Sequence, residues 1–159
     1  MPAEPRRGSL AAPAWVPGAT LTVSLLGLGA AAYLTFEHFT SSTTLACPET
    51  GVVNCAKVTT SSYSTVFGIP VAVLGLLFFV GMVALCLPAV WRRDNPAVRL
   101  GRLGAVSVGV VFVLYLLWAE LFRINAICLW CTAVHVLTLV LFGMVVIGHA
   151  LATPVAADR

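Results

Sequence analysis

Long apolar runs dominate the chain and recur four times. They cover Trp15 to Phe36, Phe67 to Val90, Leu103 to Leu121 and Ile124 to Leu151. A helix needs roughly 20 apolar residues to cross a hydrocarbon core of about 30 Å. Periodicity does not separate helix from strand where every face is apolar, so length decides. Because backbone groups in lipid must bond within their own segment, the runs predict four transmembrane helices.

The composition agrees with this interpretation. Of the 159 residues, 60% are hydrophobic and 9% are charged, and the mean hydropathy of +1.00 is high for a soluble domain. We therefore predict an all-α membrane protein, a four-transmembrane-helix bundle in one domain over 14–152, with tails at 1–13 and 153–159. The net charge of +3 does not indicate nucleic-acid binding, because the arginines lie in connections rather than along one face.

The positions of the arginines predict the topology. Positively charged residues accumulate on the cytoplasmic side of membrane proteins. On that rule both termini are cytoplasmic, the connection from Glu37 to Thr65 is extracytoplasmic, and Lys57 and Arg123 lie outside. The cytoplasmic set is Arg6, Arg7, Arg92, Arg93, Arg99, Arg102 and Arg159.

A second interpretation of the first run stays open. The Arg6-Arg7 pair, the apolar run and the small residues from Gly29 to Ala32 resemble a secretory signal, including a loose twin-arginine signal. The run is longer than the roughly 7–15 residues of such a signal, which favours a membrane span. The same small residues, together with Gly27, predict that a neighbouring helix approaches the first span closely.

Polar residues concentrate in the connection between the first two spans. Its Pro48 and Gly51 break regular structure, and the Ser/Thr run from Thr59 to Thr65 suits the caps of a short helix at the membrane surface. Between spans three and four only about five residues, Phe122 to Ala126, are available. Spans three and four are therefore expected to be antiparallel neighbours.

Four of the five cysteines fall on the predicted outer side. Cys47 and Cys55 lie in the outer loop, and Cys128 and Cys131 open the last span on the same side. Thiols on the oxidising face can exchange electrons through mixed disulfides. The Cys-x-x-Cys pair is also expected at a helix start, where free amides and the helix dipole stabilise a thiolate. Cys86, near the inner end of span two, is predicted to be a small buried hydrophobe.

The same four thiols leave two other interpretations open. A Cys-x-x-Cys pair also occurs in zinc sites, which would make the chain a metal-binding or redox-sensing membrane protein. Purely structural disulfides that staple the outer loop are the other alternative. Cys47 and Cys55 are eight positions apart, unlike the tight pairs of structural zinc sites, so we predict no metal ligands.

The run NCAKVTTSSYSTVFGIPVAVLG, with Cys47 upstream and ICLWC opening the last span, resembles the vitamin K epoxide reductase family, particularly its bacterial quinone-dependent branch. The resemblance covers Trp15 to Leu151. It comprises a loop cysteine pair, a serine six residues later, a Phe-Gly-Ile-Pro entry to span two and a late Cys-x-x-Cys. It implies a four-helix bundle that holds a quinone.

The resemblance also implies roles for individual residues. Cys47 is the shuttle cysteine that meets a redox partner, and Cys55 passes electrons on through a transient bond to Cys128. Cys131 is the thiolate nearest the quinone. Ser61 matches the serine that stabilises that charge.

Further candidates for quinone binding are less closely tied to the family pattern. Ser64 stands where the vertebrate enzymes carry an Asn, and His135 replaces a vertebrate Tyr, which favours a quinone over vitamin K epoxide as substrate. Trp130 suits the outer aromatic belt of the membrane, and Trp130 and Phe67 are also suited to lining a ring-binding pocket.

The predicted function is that of a membrane thiol oxidoreductase. It reoxidises a separate thioredoxin-like or DsbA-like partner outside the cytoplasm and passes two electrons to menaquinone or ubiquinone in a bacterial inner membrane. The partner is expected to be separate because the chain ends eight residues past Leu151, without a fused thioredoxin-like domain. The DsbB family has a similar function but the opposite order of cysteine pairs. Glu37 and Glu120, near the outer ends of their spans, either cap the interface or supply protons.

Overall fold

A computed structural model of the chain describes residues 10–40, 46–47, 50–93 and 95–154. Most of the predicted N-terminal tail, with Arg6 and Arg7, lies outside the described residues. So do residues 155–159 of the C-terminal tail, with Arg159, and Pro48 of the outer loop.

The described residues are mostly helical, which confirms the predicted class. The helices are α1 (Trp15–Phe39), α2 (Cys55–Thr59), α3 (Val71–Leu85), α4 (Pro88–Trp91), α5 (Pro96–Trp118) and α6 (Leu129–Ala150). A π-helix over Ala119–Ile124 continues α5, and a 3-10 turn covers Ser62–Ser64. The strands are β1 (Leu10–Ala11), β2 (Thr65–Val66), β3 (Ile69–Pro70) and β4 (Thr153–Pro154), paired β1 with β4 and β2 with β3.

Four helices pack in a ring. Helix α1 contacts α3 and α6, and α5 contacts the same two helices from the other side. Within the described residues, three helical segments are long and apolar enough to cross a membrane: Trp15–Phe39, Pro96–Ile124 and Leu129–Ala150. Helix α3 is apolar but has only 15 residues. The count of four spans stays a prediction.

The second predicted span, from Phe67 to Val90, was wrong as a continuous helix. Phe67 and Gly68 have φ values of 52° and 80° and form the two-residue turn of the β2–β3 hairpin. Such turns need positive φ at both central residues. At the other end, Pro88 disfavours helical geometry in the preceding residue, and Leu87 accordingly has ψ of 137°.

The other predicted spans shift at their ends. Helix α5 begins at Pro96 rather than at residue 103, because the Asn95 side chain accepts a hydrogen bond from the backbone N–H two residues on, at 2.9 Å. Asn at the cap and Pro in the first helical position both favour a helix start. Helix α6 begins at Leu129 rather than at residue 124, after a turn in which Asn125 has φ of 49°. Helix α1 extends to Phe39.

The two ends of the described chain lie together at one end of the bundle. Strands β1 and β4 are antiparallel there, and Arg99 at the start of α5 donates a hydrogen bond to the carbonyl of His149, near the end of α6, at 3.4 Å. The outer loop and the start of α6 form the opposite end. The 25 residues of α1 connect the two ends over about 37 Å, at 1.5 Å per residue.

The apolar core confirms two local predictions. Cys86 is a free cysteine that is fully buried among Phe79, Met82 and other core residues. A methyl group at Gly27 would overlap the ring of Phe79, so a neighbouring helix does approach α1 closely there. Gly29 has no heavy atom within 4 Å of the same position and does not share this contact.

Replacement of Gly27 by Ala is therefore expected to destabilise the bundle. Overpacking of a well-filled core costs about 1–3 kcal/mol. Gly29→Ala is the matched control, because it adds the same methyl group in open space and gains the helix preference of Ala over Gly, roughly 0.5–1 kcal/mol. Thermal unfolding in detergent measures the difference, and equal stability of the two variants would contradict the packing described here.

Candidate functional site

A short parallel backbone bridge joins the outer loop to the start of α6. The N–H of Asn54 donates to the carbonyl of Ile127 at 3.1 Å, and the N–H of Ile127 donates to the carbonyl of Val52 at 2.9 Å. Cys55 follows Asn54 in the chain, and Cys128 follows Ile127. The bridge therefore holds one cysteine of each pair beside the other.

Local caps fix both of these cysteines at helix starts. The Asn54 side chain accepts a hydrogen bond from the N–H of Lys57 at 2.8 Å, so α2 begins at Cys55. Cys128 is the cap residue of α6. Cys55 and Cys128 are 1% and 0% exposed and belong to one buried cluster. The predicted short helix of the loop is α2, which precedes most of the Ser/Thr run.

The four sulfurs differ in bonding and in exposure. Cys47 and Cys55 form a disulfide with a Cα–Cα distance of 6.2 Å, whereas Cys128 and Cys131 are free thiols. Cys47 and Cys131 are half-buried and pack against the cluster that contains the other two. Across the described part of the chain, no three His, Cys, Asp or Glu side chains are grouped as metal ligands would be.

Two aromatic residues hold the chain beside Cys47. The indole N–H of Trp130 donates to the carbonyl of Ala46 at 3.1 Å, and the N–H of Ala46 donates to the Tyr33 hydroxyl at 3.1 Å. The rings of Tyr33 and Trp130 are 4.6 Å apart. Trp130 thus holds the chain next to Cys47, and it does not line the cavity described below. Tyr33 was missed because nothing in its apolar surroundings marks it.

The start of α6 polarises Cys128 and Cys131, which are called the inner pair below, with Cys47 and Cys55 as the outer pair. The backbone N–H of Cys131 donates to the Cys128 sulfur at 3.4 Å. Hydrogen bonds from Cys131, first from its thiol and then from this N–H, outweigh burial and lower the pKa of Cys128 from 9.0 to about 7. The Cys128 thiol therefore deprotonates near neutral pH, as expected for a cysteine at the start of a helix.

A cavity of about 330 Å³ lies between the four long helices, directly beside Cys131. This volume falls within the range of small-molecule pockets. Most of its wall is aliphatic or aromatic. Polar side chains also line it, namely His38, Thr59, Ser61, Tyr63, Ser64, Glu120, Cys131, His135 and Thr138.

The structure brings four of the six predicted quinone-binding residues to this cavity: Ser61, Ser64, Cys131 and His135. Phe67, which the sequence also suited to a ring-binding pocket, lies at the tip of the hairpin turn, is fully exposed and does not line this cavity. The Ser61 hydroxyl donates to the carbonyl of Val58 at 2.8 Å. Ser61 therefore presents acceptor lone pairs to the cavity unless its hydroxyl rotates.

His135 is a polar residue of the cavity wall with an open hydrogen-bonding position. The residue is 3% exposed, and its Nδ1 atom is buried without a hydrogen-bond partner among the described residues. Buried polar atoms are nearly always paired, so an unpaired one needs an explanation. A ligand with an oxygen near this ring would provide the missing partner.

Glu120 is a second unusual group in the cavity wall. It is 3% exposed and lies in the π-helix over Ala119–Ile124, a geometry that is frequent at functional sites. The sequence left its role open, although an acidic residue in an apolar span is itself a functional signal. Glu37 is also buried, at 5% exposure, but it does not line the cavity.

A comparison with protein families agrees with the geometry. The model of the vitamin K epoxide reductase family matches residues 19–146, which is most of the chain and includes both cysteine pairs, Glu120 and His135. Members of this family are membrane thiol-disulfide oxidoreductases that use quinones for electron transfer. The chain belongs to the vitamin K epoxide reductase family.

Proposed function

We propose that this protein oxidises the thiols of a separate thioredoxin-like or DsbA-like partner and passes the electrons to menaquinone or ubiquinone. The observation that carries this proposal is the order of the four sulfurs. Cys47 is accessible from outside, Cys55 and Cys128 are buried side by side, and Cys131 lines the cavity. This order is a path from the protein surface to the cavity.

The first exchange takes place at the outer pair. A thiolate of the partner attacks the Cys47 sulfur, the Cys47–Cys55 bond breaks, and Cys55 leaves as a thiolate. Attack on Cys47 is favoured because Cys55 is 1% exposed. The second thiol of the partner then displaces Cys47, which leaves the partner oxidised and the outer pair reduced.

The second exchange moves the electrons inward. The Cys55 thiolate attacks Cys128 of an oxidised inner pair, and Cys131 leaves as a thiolate. Cys47 then attacks Cys55, which restores the outer disulfide and leaves Cys128 as a thiol. The observed bonding, with a Cys47–Cys55 disulfide and free thiols at Cys128 and Cys131, matches the product of this exchange.

The residues of the cavity fit a quinone. Its apolar wall suits the ring and isoprenoid carbons, the unpaired Nδ1 of His135 suits a ring oxygen, and Cys131 lies in the wall. A bound quinone supplies an acceptor for two electrons and two protons. His135 would hold and orient the quinone ring. Ser61 and Ser64 would line the polar side of the site, and the helices would keep water from the reacting sulfur.

The proposed placement is a bacterial inner membrane with the cysteines outside and both termini in the cytoplasm. Its support is the separation of charges along the bundle. Arg99 and Arg102 lie at the end where β1 and β4 pair, and Arg123 lies at the cysteine end beside Tyr63. In this placement α3 and α4 together complete a fourth crossing.

An anaerobic assay tests the proposed function. A reduced thioredoxin-like protein is the electron donor, and the reduction of a soluble quinone analogue is followed by absorbance. Cys47→Ala and Cys131→Ala are each expected to abolish turnover, because each removes one of the four sulfur atoms through which the electrons pass. Cys86→Ala is the matched control, since this buried thiol lies in the core away from the other four cysteines. Turnover that survives Cys131→Ala, or stoichiometric zinc in a protein without quinone reduction, would overturn the proposal.

The acidity of Cys128 gives a pH dependence. Its lowered pKa means that the thiolate forms as the pH rises through about 7, where an ordinary thiol stays protonated until about 9. Ultraviolet thiolate absorbance of the Cys86→Ala protein should therefore titrate with a midpoint near 7. Cys131→Ala removes the thiol hydrogen bond and should move the midpoint upward. A midpoint that stays the same in Cys131→Ala would contradict the described cause.

Substitution of His135 distinguishes quinone binding from thiol–disulfide exchange with the partner. His135→Phe removes the hydrogen bond to the ring and is expected to raise KM for quinone about tenfold, the effect of losing roughly 1.4 kcal/mol. His135→Gln keeps a donor and should retain most of the affinity. Trp130→Phe is the control, because it loses only the bond to Ala46 and should slow exchange with the partner without changing KM for quinone. An unchanged KM in His135→Phe would remove this residue from the quinone site.

A further inference from the structure

We infer that Glu120 carries protons between the Cys128–Cys131 pair and the quinone, an inference that rests on the proposed function. The residue lies in the wall of the same cavity as Cys131 and His135. Its carboxyl is close enough to interact electrostatically with both inner sulfurs. Glu120 therefore lies near both the thiols that release the protons and the cavity in which the protons are consumed.

The backbone fixes Glu120 at this place. Its carbonyl accepts hydrogen bonds from the N–H of Asn125 and, at 3.2 Å, from the N–H of Ala126. Ala126 is buried in the same cluster as Cys128, two residues further on. The π-helix ends at Ile124, four residues before Cys128. The backbone of Glu120 is thus hydrogen-bonded to the short segment that leads to the dithiol.

Pairing with another side chain does not explain why Glu120 is buried. Among the described residues, no hydrogen bond or ion pair engages the Glu120 carboxyl, although it is 3% exposed. Arg123, the cation on the same segment, instead donates to the Tyr63 hydroxyl at 2.9 Å and lies 5.6 Å from the Trp118 ring centre. A buried carboxyl without a partner is costly in free energy, and a catalytic use would account for its presence.

The chemistry of the proposed reaction needs such a group. Two thiols and a quinone give a disulfide and a quinol, so two electrons and two protons leave the sulfurs and reach the ring oxygens. The cavity wall is mostly apolar and offers few other carriers. The Glu120 carboxylate accepts the proton of Cys131 as its thiolate forms and returns that proton towards the ring oxygen. It ends each cycle in its starting state.

The first test needs no quinone. Infrared difference spectra between the disulfide and dithiol forms of the quinone-free protein report changes in carboxyl protonation. We expect a carboxylic C=O difference band that is lost in Glu120→Gln and kept in Glu37→Gln, the control for loss of a buried carboxyl outside the cavity wall. The same band in Glu120→Gln as in the wild type would overturn the inference.

The second test is the rate of quinone reduction by the dithiol form in a single turnover. Glu120→Gln should slow this step about 10²-fold, the lower end of the range for general acid–base catalysis, and the residual rate should rise with pH as hydroxide replaces the carboxylate. Glu120→Asp should recover most of the loss. Exchange of the outer disulfide with dithiothreitol should be unchanged in both variants, which checks that they are folded.

Other titratable groups around Glu120 make a comparison at each pH necessary, so Glu37→Gln is measured in parallel. These groups are His38, Lys57, Tyr63, Arg123, Cys128, Cys131 and His135. A wild-type rate in Glu120→Gln at every pH would reject the inference and leave the proposed function intact. A wild-type protein that reduces no quinone would reject the proposed function, whereas the infrared band would still test the link between Glu120 and the dithiol.

Discussion

The parallel bridge between the outer loop and Ile127 is the constraint on which the site depends. Cys55 and Cys128 come from segments that are far apart in the chain, and the hydrogen bonds at Asn54 and Ile127 bring them into one register. Each such bond contributes only about 0.5–1.5 kcal/mol, so the long helices must hold both segments in place before the bridge can form.

Around this bridge the protein separates two environments. At the cysteine end of the bundle, Trp130 and Tyr33 hold the chain next to Cys47, whose disulfide with Cys55 is the proposed site of exchange with a partner. On the inner side, an apolar cavity receives Cys131 together with His135 and Glu120, two polar groups for which ordinary packing gives no reason. In the proposed function, electrons cross between these two environments by sulfur exchange, because Cys55 and Cys128 are both buried between them.

Much of this arrangement could be predicted from the sequence because its causes are local. Length and apolarity fixed the existence of the long helices, and the spacing of Cys128 and Cys131 fixed the pair at a helix start. The hairpin at Phe67 was missed because positive φ at a non-glycine residue leaves little trace in an apolar run. The π-helix and the contact of Trp130 with Ala46 depend on tertiary packing, so the place of Glu120 in the cavity wall and the hydrogen bond of Trp130 beside Cys47 required the structure.

The most direct measurement of the central claim is the trapping of a bond between the two pairs. Cys47→Ser together with Cys131→Ser removes both thiols that resolve such a bond, so Cys55 and Cys128 should form a disulfide with each other when the double variant is mildly oxidised. Mass spectrometry of unreduced peptides identifies this link, and Cys55→Ala in the same background is the control. The peptide that joins Cys55 to Cys128 is expected to accumulate in the double variant. Two free thiols at Cys55 and Cys128 after oxidation, with no link between them, would contradict the proposed path.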